Sequence, residues 1–266
     1  MARSFDVTRQ PGFTMIAIAC FVLLYLPIIL LVAYSFNAGQ SISQWEGFSL
    51  RWYVSAWDNE QIQDATIRSV IIALGASLIA TSAAVLAALA TTRTTPWRGQ
   101  TVAFALINQP LMVPEIVTAV SLLIFFSMIK VWTGYTGLWY LVIAHAAFCI
   151  PFAYMPIRAR LQGMDLNLEQ AGADLYGTPI KVFRHITLPQ LWPGILAGGM
   201  LAFVISLDDV VITEFVKSAG QDTLPTYMLG QLRRNITPEI NAISTALLAI
   251  SVLLVTAFFF MSRTRK

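Results

Sequence analysis

Charge is scarce in this 266-residue chain: Asp, Glu, Lys and Arg together make up 12% of it, about half of what a soluble domain carries. That scarcity excludes an ordinary water-exposed globule. With 57% of residues apolar, one small core cannot hide them all, and the fitting solvent is a lipid bilayer. Cysteine is almost missing as well. Cys20 and Cys149 each sit inside an apolar run, which leaves no basis for a disulfide framework or a metal cluster. With only His145 and His185 beside them, metal catalysis lacks a ligand set. No basic run with interleaved aromatics occurs, so the net charge of +3 does not point to nucleic acid. It is better read as membrane topology.

A membrane-crossing helix needs about 20 mostly apolar residues. Residues 13–36, 69–92, 131–157, 186–207 and 240–262 qualify, each without Asp, Glu, Lys or Arg. A further span is expected over 102–129, broken by Pro110, Pro114 and Glu115. The expectation is therefore an all-α membrane protein with six transmembrane helices. The first span is too long for a cleaved signal and is followed by no small-residue cleavage pattern. With the N-terminus inside, only Arg51, Arg68, Lys130, Lys217, Arg233 and Arg234 of the 17 basic residues fall outside. Both termini are thus expected in the cytoplasm.

Two polar segments interrupt the apolar pattern. Residues 37–68 hold Trp45, Trp52, Tyr53 and Trp57, the amphipathic rings that favour a membrane–water interface. Residues 158–186 form the longest inner excursion, with helix formers behind a candidate N-cap at Asp165 or Asn167 and breakers at Gly177 and Pro179. On this pattern alone, the excursion is either a compact helical knob or an ordinary connecting loop.

The spacing within 158–186 resembles the cytoplasmic loop of binding-protein-dependent importers of the ATP-binding-cassette class. The family pattern is Glu-Ala-Ala, three residues, Gly, nine residues, Ile, one residue, Leu-Pro. Ala171, Ile186, Leu188 and Pro189 fall at the required distances, and Asp174-Leu175 fit the usual context. Gln170 replaces Glu, Gly172 replaces the second Ala, and Tyr176 replaces Gly with Gly177 next to it. The departures imply a hinge displaced by one residue and a charge contact moved from Gln170 to Glu169. The resemblance implies a type-1 importer permease fold in which residues 169–177, with Leu188 and Pro189, dock on an ATPase subunit.

Other motifs are similar to the putrescine/spermidine permease branch. They are Tyr25-Leu26-Pro27-Ile28, Tyr34-Ser35-Phe36-Asn37, Trp52-Tyr53, Ser206-Leu207-Asp208-Asp209-Val210-Val211, Thr223-Leu224-Pro225 and Thr237-Pro238-Glu239-Ile240-Asn241-Ala242. This second resemblance implies a bacterial inner-membrane permease without catalytic residues or cofactor of its own. Its implied partners are two ATPase subunits, a second homologous permease, an extracytoplasmic solute-binding protein and a small cationic solute such as putrescine or spermidine. Residues 1–63 would be an N-terminal segment, first helix and outer loop, 64–262 the transport domain, and 263–266 an inner tail.

The acidic residues agree with a cationic cargo. A charge within a span costs at least about 2.5–3.5 kcal/mol, so it faces a cavity or a partner. Asp208 and Asp209 end the fifth span, and Glu115 interrupts the third. They either line the pathway or, for Asp208 and Asp209, cap a helix or pair with Arg233 or Arg234. His145 reads as a hydrogen-bonded core residue or as a proton relay. Gly194 and Gly198 suit close helix approach in lipid. Alternatives are an importer permease for a phosphonate, thiamine or iron, and an ion-coupled secondary transporter, which would show an inverted repeat. A membrane enzyme is disfavoured because no acid, base and nucleophile converge.

Overall fold

The computed structural model describes residues 11–41, 44–95, 97–234 and 237–263. The first ten residues and the expected tail beyond Arg263 lie outside these ranges. Among the described residues there is no strand, and the chain divides into two compact units: residues up to 60 with 230–250, and 61–229 with 251 onward.

In the first unit, α1 (Pro11–Tyr34) is apolar on every side and buries none of its spanning residues, as a helix in hydrocarbon requires. Asn37 organises the loop after it. Its buried side chain donates to the carbonyls of Ser41 (3.1 Å) and Gln44 (2.6 Å) and accepts from the amides of Gly39 (3.2 Å) and Glu46 (2.8 Å). All four bonding positions of one amide group are used, which closes the loop onto α2 (Arg51–Asp58). Phe36 packs against Phe48 and Tyr53, while Trp45 and Trp57 remain exposed. Ser55 donates to Glu239 at 3.2 Å, in the first turn of α12 (Pro238–Arg263), where a carboxylate suits the helix dipole.

The second unit is built on α3 (Glu60–Thr92), α6 (Trp139–Gln162) and α9 (Leu188–Asp208). Helices in lipid lack a hydrophobic drive toward each other, so close packing of small residues must hold them. Here α6 and α9 run antiparallel in rungs. Arg160 meets Gly194, Ala153 meets Gly198, Cys149 meets Ala202, and His145 meets Ser206. A Cβ at Gly198 would lie 2.6 Å from the Ala153 carbonyl oxygen, so only glycine permits this approach. The alanine stripe Ala73, Ala76, Ala80, Ala84 and Ala88 of α3 is fully buried, and the Thr91 hydroxyl meets that of Tyr154 at 2.8 Å. Around this core lie α4 (Gln100–Met112), α5 (Glu115–Thr133), α7 (Leu166–Asp174), α8 (Pro179–Val182) and α10 (Val211–Val216); α11 (Leu224–Arg234) comes next in sequence.

Among the described residues, six helical runs are long and apolar enough to cross a membrane: Gly12–Tyr34, Glu60–Thr92, Glu115–Thr133, Trp139–Gln162, Pro179–Asp208 and Pro238–Ala257. The expected number is met, but boundaries move: the spans expected from 69 and 186 begin at Glu60 and Pro179, and two others change more deeply. The span expected over 102–129 is two helices, because Val113 and Pro114 are extended (ψ 138° and 133°); a residue before proline is pushed out of helical conformation. The span expected from 131 begins at Trp139. Gly134, at φ 67°, closes α5 in the left-handed conformation, and apolar residues on both sides of that turn hide it from a hydropathy reading.

Candidate functional site

Two polar clusters stand out in the second unit, and each gathers residues distant in sequence. The first surrounds Asp209, which is 7% exposed and sits at the C-cap of α9. Its carboxylate accepts from the amides of Ile212 (3.4 Å) and Thr213 (2.9 Å) and from the Thr213 hydroxyl (3.1 Å). It therefore caps the first turn of α10. Bonds to a charged group contribute roughly 1.5–3 kcal/mol each, enough in sum to offset the roughly 2.5–3.5 kcal/mol cost of a charge in a span.

His145 completes this cluster. Its Nδ1 lies 2.8 Å from the Ser206 hydroxyl, its Nε2 2.9 Å from the Thr213 hydroxyl, and Asp209 Oδ1 is 3.5 Å away. The Thr213 proton is committed to Asp209, so its oxygen is left to accept from Nε2–H. In a neutral imidazole Nδ1 then accepts from the Ser206 hydroxyl. The residue is a hydrogen-bonded core histidine, as one of its two expected readings holds, but it is wired to a carboxylate.

Glu115, half-buried in the first turn of α5, brings a second carboxyl against Asp209. The Asp208 side chain is exposed and makes no hydrogen bond among the described residues. Of the three candidate pathway acids, the structure brings Glu115 and Asp209 together and leaves Asp208 apart. Nothing in the sequence signalled the participation of Thr213 and Ser206, since hydroxyls are common in every span.

The second cluster is the loop. Asp165, one of the two candidate caps, starts α7 by accepting from the Asn167 amide at 2.9 Å. The helix ends in a Schellman arrangement: the Gly177 amide donates to Gly172 O (3.1 Å) and the Tyr176 amide to Ala173 O (3.0 Å). Tyr176 itself holds the left-handed position at φ 59°. The expected one-residue displacement of the hinge is therefore wrong. The turn stays at 176, where the family has glycine, and the tyrosine carries the backbone strain.

Gly177 is needed for a different reason, because a Cβ there would lie 2.5 Å from Gly172 O. The glycine at 172 admits the Ile186 side chain, 2.5 Å from where a Cβ would stand. Thr178 caps α8, which runs into a π-helical turn, Phe183–Thr187, before α9. Gln170, Ala171, Asp174, Leu175, Tyr176 and Pro189 are exposed, whereas Gly172, Gly177 and Leu188 are half-buried. Glu169 faces inward. Its carboxylate meets Arg93 Nε at 3.1–3.2 Å and accepts from the Thr187 hydroxyl at 3.1 Å.

Spanning helices zipped by small residues around a capped polar loop make up a multi-pass membrane domain. Residues 80–264 match the family described as the binding-protein-dependent transport system inner membrane component, and the chain belongs to that family. It is 36% identical over 264 residues to the putrescine transport system permease protein PotI of Escherichia coli K12, covering 98% of this chain and 94% of that one. It is 37% identical to the spermidine/putrescine transport system permease protein PotC of Haemophilus influenzae, covering 87% and 89%. A solved bacterial ABC transporter involved in import of the polysaccharide alginate shares the fold, with a TM-score of 0.75, 17% identity and coverage of 96% and 95%. The chain is thus an inner-membrane permease of the type-1 importer fold, a subunit whose family leaves ATP hydrolysis to a separate protein.

Proposed function

We propose that this permease carries a small cationic solute, a polyamine such as putrescine or spermidine, by alternating access. The observation that carries the reading is the meeting of two carboxyls, Glu115 and Asp209, inside the transport domain, in a chain whose relatives at 36–37% identity are named for putrescine and spermidine. Ammonium groups lose hydration on entering a membrane, and spaced carboxylates compensate for that loss. Asp208, exposed and next to Asp209 in the chain, would meet the cargo first. Tight capture belongs to a separate solute-binding protein outside, because the permease must let go.

On the inner side, two ATPase subunits would drive the cycle through the α7 loop, and the pathway would lie between this chain and a second homologous permease. Leu175 (83% exposed), Tyr176 (97%) and Ile180 (77%) project furthest among the exposed apolar side chains of this knob. Apolar side chains so exposed fit a groove on a partner. Gln170, Ala171, Asp174 and Pro189 would share that contact, with Gly172, Gly177 and Leu188 shaping it. We assign 64–262 to the transport domain, 1–63 to the entry segment, and both termini to the cytoplasm.

The decisive experiment is uptake of radiolabelled putrescine by the complex reconstituted with its ATPase and binding protein, with spermidine, thiamine, a phosphonate and ferric ion as competitors. Competition by spermidine alone is expected. Indifference to polyamines would transfer the chain to another solute, and uptake without ATPase would end the importer reading. Cysteines placed at Ser41 and Thr178 should label from opposite membrane faces; labelling from one face would overturn the orientation.

A further inference from the structure

The inward turn of Glu169 separates it from its neighbours on the loop. Successive helical residues point about 100° apart, so Gln170 is exposed while the Glu169 side chain is only 19% exposed. Glu169 is therefore not available as the charge contact that Gln170 has given up. Its carboxylate instead bridges two elements: Arg93, one residue past the end of α3, and Thr187, the last residue of the π-helical turn that enters α9. Arg93 extends the junction by donating to the Leu161 carbonyl of α6 at 2.9 Å. Thr187 is 4% exposed, so its hydroxyl has no ready exchange with water.

We infer that Glu169 is a positioning residue, an internal strut that fastens α7 to the end of α3 and to the start of α9. Resting on the proposed grip of the ATPase on this loop, the inference gives that grip a route into the bundle. A displaced loop moves α3 and α9 together. The π-helical turn is the place where α9 yields, because it interrupts the regular α-helical ladder and such turns are rare and recur at functional sites. Without the Thr187 bond, the loop shifts and the turn absorbs the displacement before it reaches α9.

The test uses the complete complex in vesicles, on a Cys20→Ser, Cys149→Ala background carrying Tyr176→Cys at the exposed tip. Two quantities are read: cross-linking of that cysteine to the ATPase, and the ratio of ATP hydrolysis with and without loaded binding protein. In Glu169→Gln and Thr187→Val the cross-link should stay within about twofold of the parent. The hydrolysis ratio should fall about fivefold or more, the lower end of ordinary coupling between sites. Thr187→Ser keeps the hydroxyl and should behave as the parent. An unchanged ratio in the first two variants overturns the strut, as does an equal fall in Thr187→Ser. Loss of the cross-link along with the ratio also overturns it, because the residues then only hold the loop in shape. Absence of the cross-link in the parent removes instead the docking reading beneath it.

Discussion

At Asp209 a carboxylate is held by two amides and a hydroxyl, with an imidazole behind them and the Glu115 carboxyl beside it, whereas at Glu169 it meets the full opposite charge of Arg93. The difference separates two uses of a buried acid. Amide and hydroxyl donors stabilise the charge without cancelling it, so the Asp209 cluster still presents a negative field, to which Asp208 adds. No Lys or Arg among the described residues bonds to any of the three. An ion pair cancels its own field and leaves geometry as its product, which suits a mechanical junction more than a cation pathway.

That contrast can be broken most severely at Asp209. Asp209→Ala strands two amides of α10, and buried unsatisfied donors cost roughly 1–3 kcal/mol each. A marked drop in the unfolding temperature in detergent is expected together with loss of uptake. Asp209→Asn keeps an acceptor, so uptake should fall with far less thermal loss; equal thermal losses would mean the charge is needed for the fold. Next comes Gly198→Val, which forces α6 and α9 apart two rungs from His145 and should cost about 1–3 kcal/mol by overpacking. Full thermal stability in that variant would show the ladder to be loose.

At the loop the effects are smaller and of opposite sign. Tyr176→Gly should stabilise by about 1 kcal/mol, since the left-handed conformation is costly for a residue with a Cβ, while Gly177→Ala should destabilise through its contact with Gly172 O. Chemical denaturation of the two variants checks the pair, and the same sign for both would contradict the Schellman turn.

The smallest effect belongs to Lys217, outside the spans. Burial lowers its pKa, but the bonds it donates to Asp222 (2.7 Å) and Glu214 (2.5 Å) outweigh that, and the net shift is upward. A raised lysine contributes its stability fully below its ordinary value of about 10.4 and loses it as pH rises through the shifted one. Lys217→Met should therefore cost the same small amount at every pH from about 6 to 9, read as a constant difference in melting temperature. A difference that fades within that window would reverse the sign of the shift.

Much of this was legible in advance. Length and apolarity located the six crossings, since a span needs only a long enough apolar run, and Gly194 and Gly198 announced a close helix approach, though not that α6 is the partner. The break near Pro114 was visible as a proline, though not as the division of one span into two helices. Less legible were the partners of polar side chains. Arg93 reads as one more inner-face cation, and Thr187 as a residue before Leu-Pro. That both converge on Glu169, 76 and 18 residues away respectively, depends on how α3, α6 and α9 pack, which no local pattern encodes. For the same reason Tyr176 was misjudged: local preference favours Gly177 for the left-handed position, but Gly177 is already required where the chain passes Gly172 O.

The amino-acid order by itself determined the solvent of this protein, its helical class, its number of crossings and the kinship of its loop. Each depends on composition or on spacing along the chain, and both survive without tertiary contacts. Only the folded structure decided which acids share a site and which one faces inward. Hydrogen bonds and ion pairs act over about 3 Å, and packing alone brings residues far apart in the chain to that distance.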